Sequence, residues 1–244
     1  MTRYFIEVSY KGTLYAGFQA QQNANTIQDE VEKALGIYFK DPFSLTGSSR
    51  TDAGVHAMQN FFHFDAEFIT IPTWSKVVYH LNAILPPDIV VKNIFEVAAD
   101  AHSRFDAKYR TYEYSIYGHK DPFLADRAYF YPYSLNVDLL NEAAMLLKKV
   151  KDFESFSKRN TQVKTFNCTI LESEWLQKEL TIVYRVSGNR FLRGMVRGLV
   201  GTMLKVGRGK VSINDFEEII ELHNPALADF SVPPQGLTLI EVVY

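Results

Sequence analysis

The sequence predicts an α+β protein of two lobes around a largely antiparallel sheet, and three observations carry that expectation. Period-two alternation, the mark of a strand with one face turned inward, recurs in both halves of the chain. Apolar residues at helical spacing lie between those segments. Around residues 110–133 and 169–186 strand patterns follow one another directly, which favours antiparallel neighbours over a doubly wound parallel sheet.

From Arg3 to Tyr10, the residues Tyr4, Ile6, Val8 and Tyr10 alternate with Arg3, Phe5, Glu7 and Ser9, so the chain opens on a strand. Gly12 and Gly17 then punctuate a loop. Thr26, with Asp29 three residues on, has the form of a capping box and opens a helix presenting Ile27, Val31, Leu35 and Tyr38. Phe43–Thr46 and Met58–Phe64 read as strands flanking a polar, glycine-containing stretch, and Trp74–Leu85 as a helix stopped by Pro86-Pro87. Ile89–Val97 returns to strand. Tyr109–Tyr117 alternates again, with Arg110, Tyr112, Tyr114 and Ile116 opposite Thr111, Glu113, Ser115 and Tyr117.

Gly118 and the turn-like Asp121-Pro122 close a first lobe, 1–118. The second lobe, 119–244, offers a helix over Val137–Val150 and strands over Thr169–Leu176 and Thr181–Val186. A long helix from about Phe191 to Lys205, a short one near Ile213–Leu222 and a last strand, Leu237–Val243, complete it. Neither a low-complexity linker nor a sequence repeat separates the lobes.

With 244 residues, 47% hydrophobic and 22% charged, the composition is that of an ordinary globular chain. The opening MTRYFIEVSY alternates where a secretory signal needs an uninterrupted apolar run, and no apolar run reaches membrane-spanning length, so a cytoplasmic protein with no membrane partner is expected. A single cysteine, Cys168, excludes an internal disulfide and any Cys-pair zinc site, and the six histidines lack ligand spacing, so no metal is expected. The net charge of -2 conceals an asymmetry. From Leu180 to Asn214 there are seven basic residues, Arg185, Arg190, Arg193, Arg197, Lys205, Arg208 and Lys210, and no acid. That pattern suits a partly basic cleft; the plain alternative is a solvated helix face and a basic loop.

The densest chemistry lies in Gly47–Ala57, where small residues crowd around Arg50 and Asp52. A carboxylate held ionised can attack an electrophilic carbon, and a neighbouring arginine favours the ionised form. The plain reading of the same residues is a turn-capping Asp52, a surface ion pair at Arg50 and a packed His56.

The string Arg50-Thr-Asp-Ala-Gly-Val-His-Ala57 resembles the signature of the TruA family of tRNA pseudouridine synthases. The resemblance covers nearly the whole chain. It takes in Tyr10-Lys-Gly-Thr-Leu-Tyr-Ala-Gly-Phe-Gln-Ala-Gln, Leu81-Asn-Ala-Ile-Leu-Pro-Pro-Asp-Ile and Ala101-His-Ser-Arg-Phe-Asp-Ala-Lys-Tyr-Arg-Thr-Tyr-Glu-Tyr. Asp152-Phe-Glu-Ser-Phe, Phe191-Leu-Arg-Gly-Met-Val-Arg and Gly236-Leu-Thr-Leu complete the set. Phe18, Ser49, Gly198 and Thr238 depart from the family pattern, where tryptophan, glycine, asparagine and an aromatic are usual.

The resemblance implies the pseudouridine synthase fold with a central active-site cleft, isomerisation of uridine at positions 38 to 40 of the tRNA anticodon stem-loop, and no cofactor. It implies Asp52 as nucleophile, with attack on ribose, attack on base and promotion of an elimination all open. Tyr112 would stack on the extruded uracil, Arg197 would be the basic partner of Asp52, Arg50 would insert into the RNA and Leu239 would floor the pocket. Without the resemblance, Tyr112 reads as one of a tyrosine-rich sheet face and Leu239 as core. Arg190 and Arg193 would share one helix face with Arg197, and together with Arg208 and Lys210 would contact RNA. A homodimer holding tRNA across both subunits is implied as well.

Three rivals remain at this level. A non-catalytic RNA-binding relative has little reason to keep Asp52, Tyr112 and both arginines. A carboxylate-dependent glycoside hydrolase needs a second carboxyl group, for which Asp65 and Glu67 are the nearest candidates. A scaffold protein would make the basic stretch incidental.

Overall fold

The chain begins with β1 (Thr2–Tyr10), whose Tyr4, Ile6, Val8 and Tyr10 are buried on one face as the alternation requires. Phe5 is buried on the opposite face, its ring 5.1 Å from that of Tyr244, so this strand is covered on both sides there. The computed structural model describes residues 1–67, 73–159 and 163–244. Helix α1 (Ile27–Phe39) starts where expected: the Thr26 side chain accepts from Asp29 N, and Ile27, Val31, Ala34 and Leu35 form its buried stripe.

Strand β2 is shorter than its apolar pattern predicts, only Thr46–Gly47. Phe43 packs edge-on against Phe64, with ring centroids 5.4 Å apart, so its hydrophobicity serves the core and not a ladder. Strand β3 (His56–Ala66), helix α2 (Trp74–Ile84) and strand β4 (Ile89–Val97) follow. β1 runs antiparallel between β3 and β4, and Trp74 of α2 lies 4.9 Å from the Tyr4 ring.

The next group opens with β5 (Tyr109–Tyr117) and the two-residue β6 (Tyr129–Phe130), which pairs with β5 in parallel. Helix α3 (Val137–Leu146) ends earlier than the predicted Val150 because its last turn tightens: Lys148, Lys149 and Val150 donate to carbonyls three residues back. Strands β7 (Ile170–Gln177) and β8 (Ile182–Gly188) form an antiparallel pair, and β8 pairs antiparallel with β5.

Helix α4 (Met195–Gly207) begins four residues later than its apolar pattern predicts. Gly194 sits in the left-handed region at φ 73°, and Arg193 O accepts from Lys158 N instead of starting a helical ladder. Within α4 every residue except Arg197 and Lys205 is buried. Helix α5 (Ile213–Glu221) carries a complete Ser212/Asp215 capping box, and β9 (Leu237–Val243) runs parallel to β3, with His56 opposite Thr238 and Ala57 opposite Leu239.

Among the described residues there are thus nine strands, largely antiparallel, and five helices, an α+β architecture. The compact units are Met1–Lys108 with Thr238–Tyr244, and Tyr109–Leu237. This division differs from the expected 1–118 and 119–244. Strand β5 is tied to β8 by a ladder from Arg110 to Ile116, while the end of the chain returns to the first unit through the β3–β9 pairing.

Candidate functional site

The loop carrying Asp52 is held by a buried polar network in the first unit. Asn60, fully buried on β3, donates through Nδ2 to the Tyr10 hydroxyl (3.0 Å), which in turn lies 2.7 Å from Thr51 Oγ1. Ser48 Oγ and Ser49 Oγ both donate to Asn60 Oδ1, at 2.7 and 3.0 Å. Thr51 O accepts from Phe18 N (3.2 Å) and Gly54 N donates to Tyr15 O (3.3 Å). A residue larger than glycine at 12 would drive its Cβ into the Val55 carbonyl, so the two loops touch backbone to backbone.

Tethers at 48, 49, 51 and 54 leave Arg50 exposed and Asp52 half-buried, the partial desolvation a carboxylate nucleophile needs. His56 is structural: its Nδ1 accepts from Gly12 N at 3.0 Å, so in the neutral ring the proton sits on Nε2. Two of the departures from the family pattern have local reasons. Ser49 contributes the hydroxyl on Asn60 described above, and Phe18 stacks on Phe62 at 4.3 Å in a space that also abuts Gly47. Leu239 is fully buried opposite Ala57 in the β3–β9 pair, immediately after the Asp52 loop.

The two carboxyl groups that a hydrolase would recruit are engaged elsewhere. Asp65 pairs with Arg3 through two hydrogen bonds of 2.8 Å, which hold its carboxyl below the usual carboxylate range, the opposite of what a general acid requires. Glu67 pairs with the N-terminal ammonium at 2.8 Å.

In the second unit, Tyr112 is buried on β5 opposite Val186, and Phe191 meets its ring edge-on at 5.1 Å. Its neighbour on the same face, Tyr114, donates to Pro233 O at 2.7 Å and has its hydroxyl pKa pushed up by burial. Arg197 donates from Nε to Val232 O (2.9 Å) and from Nη2 to Phe230 O (3.5 Å). The segment it grips is itself fastened to α4: Asp229 N donates to Thr202 Oγ1 (3.0 Å), and Lys205 pairs with Asp229 (3.1 Å). Gly201 admits the Asp229 carbonyl at a distance no side chain would allow, and a Cβ on Gly198 would lie 2.7 Å from the Phe230 ring. Glycine at 198 thus makes room for Phe230.

The basic stretch is more divided than its composition implies. Arg185 pairs with Glu113 (2.8 Å) and Glu172 (3.2 Å), and Lys205 with Asp229, so acids distant in sequence neutralise two of the seven cations. Arg190 and Arg193 are not on the helix with Arg197, as its predicted start would place them, but in the segment before Gly194. Arg208 and Lys210 lie past the other end of α4, whose 13 residues span about 20 Å, so the four do not form one stripe. The Arg208 guanidinium sits 3.8 Å over the exposed Tyr133 ring, a cation–π contact with no sequence signal. Cys168 is buried, which pushes its thiol pKa up to about 11 and makes it a poor nucleophile. The group whose chemistry suits a metal, Asp152, Glu154 and His223, has ligand atoms within 4.8 Å of one another, with His223 Nδ1 3.2 Å from Asp152.

Comparison with known proteins agrees along the whole chain. The family described as tRNA pseudouridine synthase matches residues 6–106 and 143–244. A protein named tRNA pseudouridine synthase A from Porphyromonas gingivalis is 44% identical over 246 residues, covering 100% of this chain and 98% of its own. One of the same name from Bacteroides fragilis is 45% identical over 243 residues (99% and 96%), and one from Anoxybacillus flavithermus 40% over 248 residues (100% and 99%). With both ends of the chain matched and such identity sustained throughout, the chain belongs to the tRNA pseudouridine synthase family, isomerases that convert uridine to pseudouridine.

Proposed function

We propose that this protein isomerises uridine at positions 38, 39 and/or 40 of the tRNA anticodon stem-loop, with Asp52 as nucleophile and without a cofactor. The observation that carries the reading is the fixed loop: a buried Tyr10–Asn60–Ser48–Ser49–Thr51 network holds the backbone around a half-buried Asp52 that follows an exposed Arg50. Preorganisation of this kind places a carboxylate without requiring it to be ordered at the moment of reaction.

In the isomerisation the N1–C1′ bond of the target nucleoside breaks, uracil turns, and C5 bonds to C1′ while the C5 proton leaves and N1 is protonated. Addition to ribose, addition to base and elimination all draw on the Asp52 carboxylate. Tyr112 offers an aromatic face for the extruded base, since a base must leave its stack before its atoms can be reached. Arg197 is the basic partner of Asp52, Arg50 enters the RNA, and Leu239 is the apolar floor. A homodimer in the cytoplasm completes the reading, and gives a protein of net charge -2 more basic surface to set against RNA.

The test is nucleoside analysis of unmodified tRNA incubated with wild type or Asp52→Asn in buffer containing a chelator. Pseudouridine from the wild type alone, with tRNA still bound by the variant, is the expected result. Loss of tRNA binding by Asp52→Asn would assign the residue a structural role, and absence of product from both proteins despite binding would make this a non-catalytic RNA-binding member.

A further inference from the structure

We propose that a groove beside Arg50 in the first unit is a second nucleotide subsite, in which an unpaired base other than the target uridine stacks on Phe105 while Arg104 and Arg50 hold its phosphate. The inference rests on the tRNA reading above and brings in His102, Arg104 and Phe105, to which that reading gives no role, beside Arg50, which it already sets against the RNA.

The groove measures about 210 Å³, and Gln19, Gln28, Arg50, His102, Arg104 and Phe105 are among its lining residues. It falls below the roughly 300–1,000 Å³ of a complete small-molecule site, a size that suits one unit of a polymer held mainly from outside. Two guanidiniums and an imidazole face it, and no carboxylate is among its described lining residues, which favours a polyanion over a protein segment. Glutamine amides add groups able to meet a base edge.

Phe105 is 73% exposed, and a solitary exposed aromatic would by itself mean nothing. Here the ring belongs to a built platform. The His102 ring lies 4.2 Å from it, tilted by 41°, and the Arg104 guanidinium lies 5.7 Å from its centroid, so three planar groups are gathered at one rim. The turn beneath is fixed from several sides. Arg104 N donates to His102 Nδ1 (3.1 Å), and His102 N donates to Asp106 Oδ2 (2.7 Å). Ser103 Oγ donates to Thr46 O (2.9 Å), Ser103 N to His63 Nδ1 (3.3 Å), and the Tyr244 hydroxyl to Ser103 O (2.7 Å). Burial, and then the neighbouring His102, lower the pKa of His63 to about 4, so near neutral pH its ring stays uncharged.

These bonds run from the platform to Thr46, which directly precedes the Gly47–Ala57 loop, and to His63, its partner in the β2–β3 pair. A base stacked on Phe105 would therefore register the RNA against the loop that carries Asp52. Stacking is indifferent to base identity, so the subsite would position RNA without adding a sequence requirement.

The test is a double-mutant cycle on binding. Dissociation constants are measured for a synthetic anticodon stem-loop hairpin and for copies with one abasic nucleotide at each loop position, against wild type, Phe105→Ala, Phe105→Leu and Phe105→Trp. Phe105→Ala and Phe105→Leu are expected to weaken binding of the intact hairpin by roughly 5- to 100-fold, while Phe105→Trp retains it. The loss should vanish for an abasic hairpin whose missing base is the one stacked. Equal affinity of Phe105→Leu and wild type, or a loss that persists for every abasic hairpin, would overturn the subsite. Pseudouridine formation by the wild type on the same tRNA separates this outcome from failure of the functional reading.

Discussion

Asn60 has no chemistry of its own to offer a nucleoside, yet its amide meets Ser48, Ser49 and the Tyr10 hydroxyl and thereby fixes the loop bearing Asp52. A buried amide with all these partners stabilises through the network, and removing it leaves several polar groups unsatisfied at once. Asn60→Leu is accordingly expected to lower unfolding stability by about 3 kcal/mol, against about 1 kcal/mol for Ser49→Gly, which removes one hydroxyl. Denaturant midpoints at constant slope check this, and equal losses in the two variants would dissolve the network argument. Of the candidate site, Asp52, Arg50, Tyr112, Arg197 and Leu239 were legible as residues because motif strings are local. Asn60 was not: in the sequence it is one polar residue in an apolar-rich strand, and only its burial shows that it is a hub.

Among the elements, α4 decides how Arg197 is presented. Its surroundings are tight enough that only Arg197 and Lys205 escape burial, and both reach toward the segment around 229–232. Gly198 and Gly201 let that segment approach. Gly198→Asn is expected to cost about 1–3 kcal/mol, because the new Cβ would press on the ring of Phe230, whose own carbonyl accepts from Arg197. Adding Phe230→Ala should recover part of that cost. A double-mutant cycle by thermal or chemical unfolding reads the coupling, and strictly additive losses would mean that the two positions do not meet. Most elements could be read from the local pattern, and β4, β5 and β9 have the expected bounds. The start of α4 could not, since a left-handed glycine and a bond from Lys158 interrupt an apolar pattern that itself runs on.

For the whole molecule, the distribution of charge matters more than its sum. Arg185 and Lys205 are held by acids, while Arg193 and Lys210 are exposed. If tRNA lies along the exposed set, Arg193→Ala should reduce the slope of log affinity against log salt by about 0.7–0.9, the value of one phosphate contact, and Arg185→Ala should leave it unchanged. Binding titrations at four or five salt concentrations distinguish these outcomes, and an unchanged slope for Arg193→Ala would remove that residue from the RNA path.

The sequence alone determined the α+β class, most element boundaries and the motif that marks the candidate loop. Strand and helix periods and an eight-residue motif are properties of neighbours along the chain, and they survive without knowledge of the fold. Tertiary structure decided the rest: which cations are neutralised by Glu113, Glu172 and Asp229, which strand the C-terminal residues join, and how Ser103 and His63 brace an aromatic platform. Each of these depends on pairing between residues far apart in the chain. Such pairing is set by burial and by the demand that buried polar groups find partners, and a one-dimensional pattern carries no record of it.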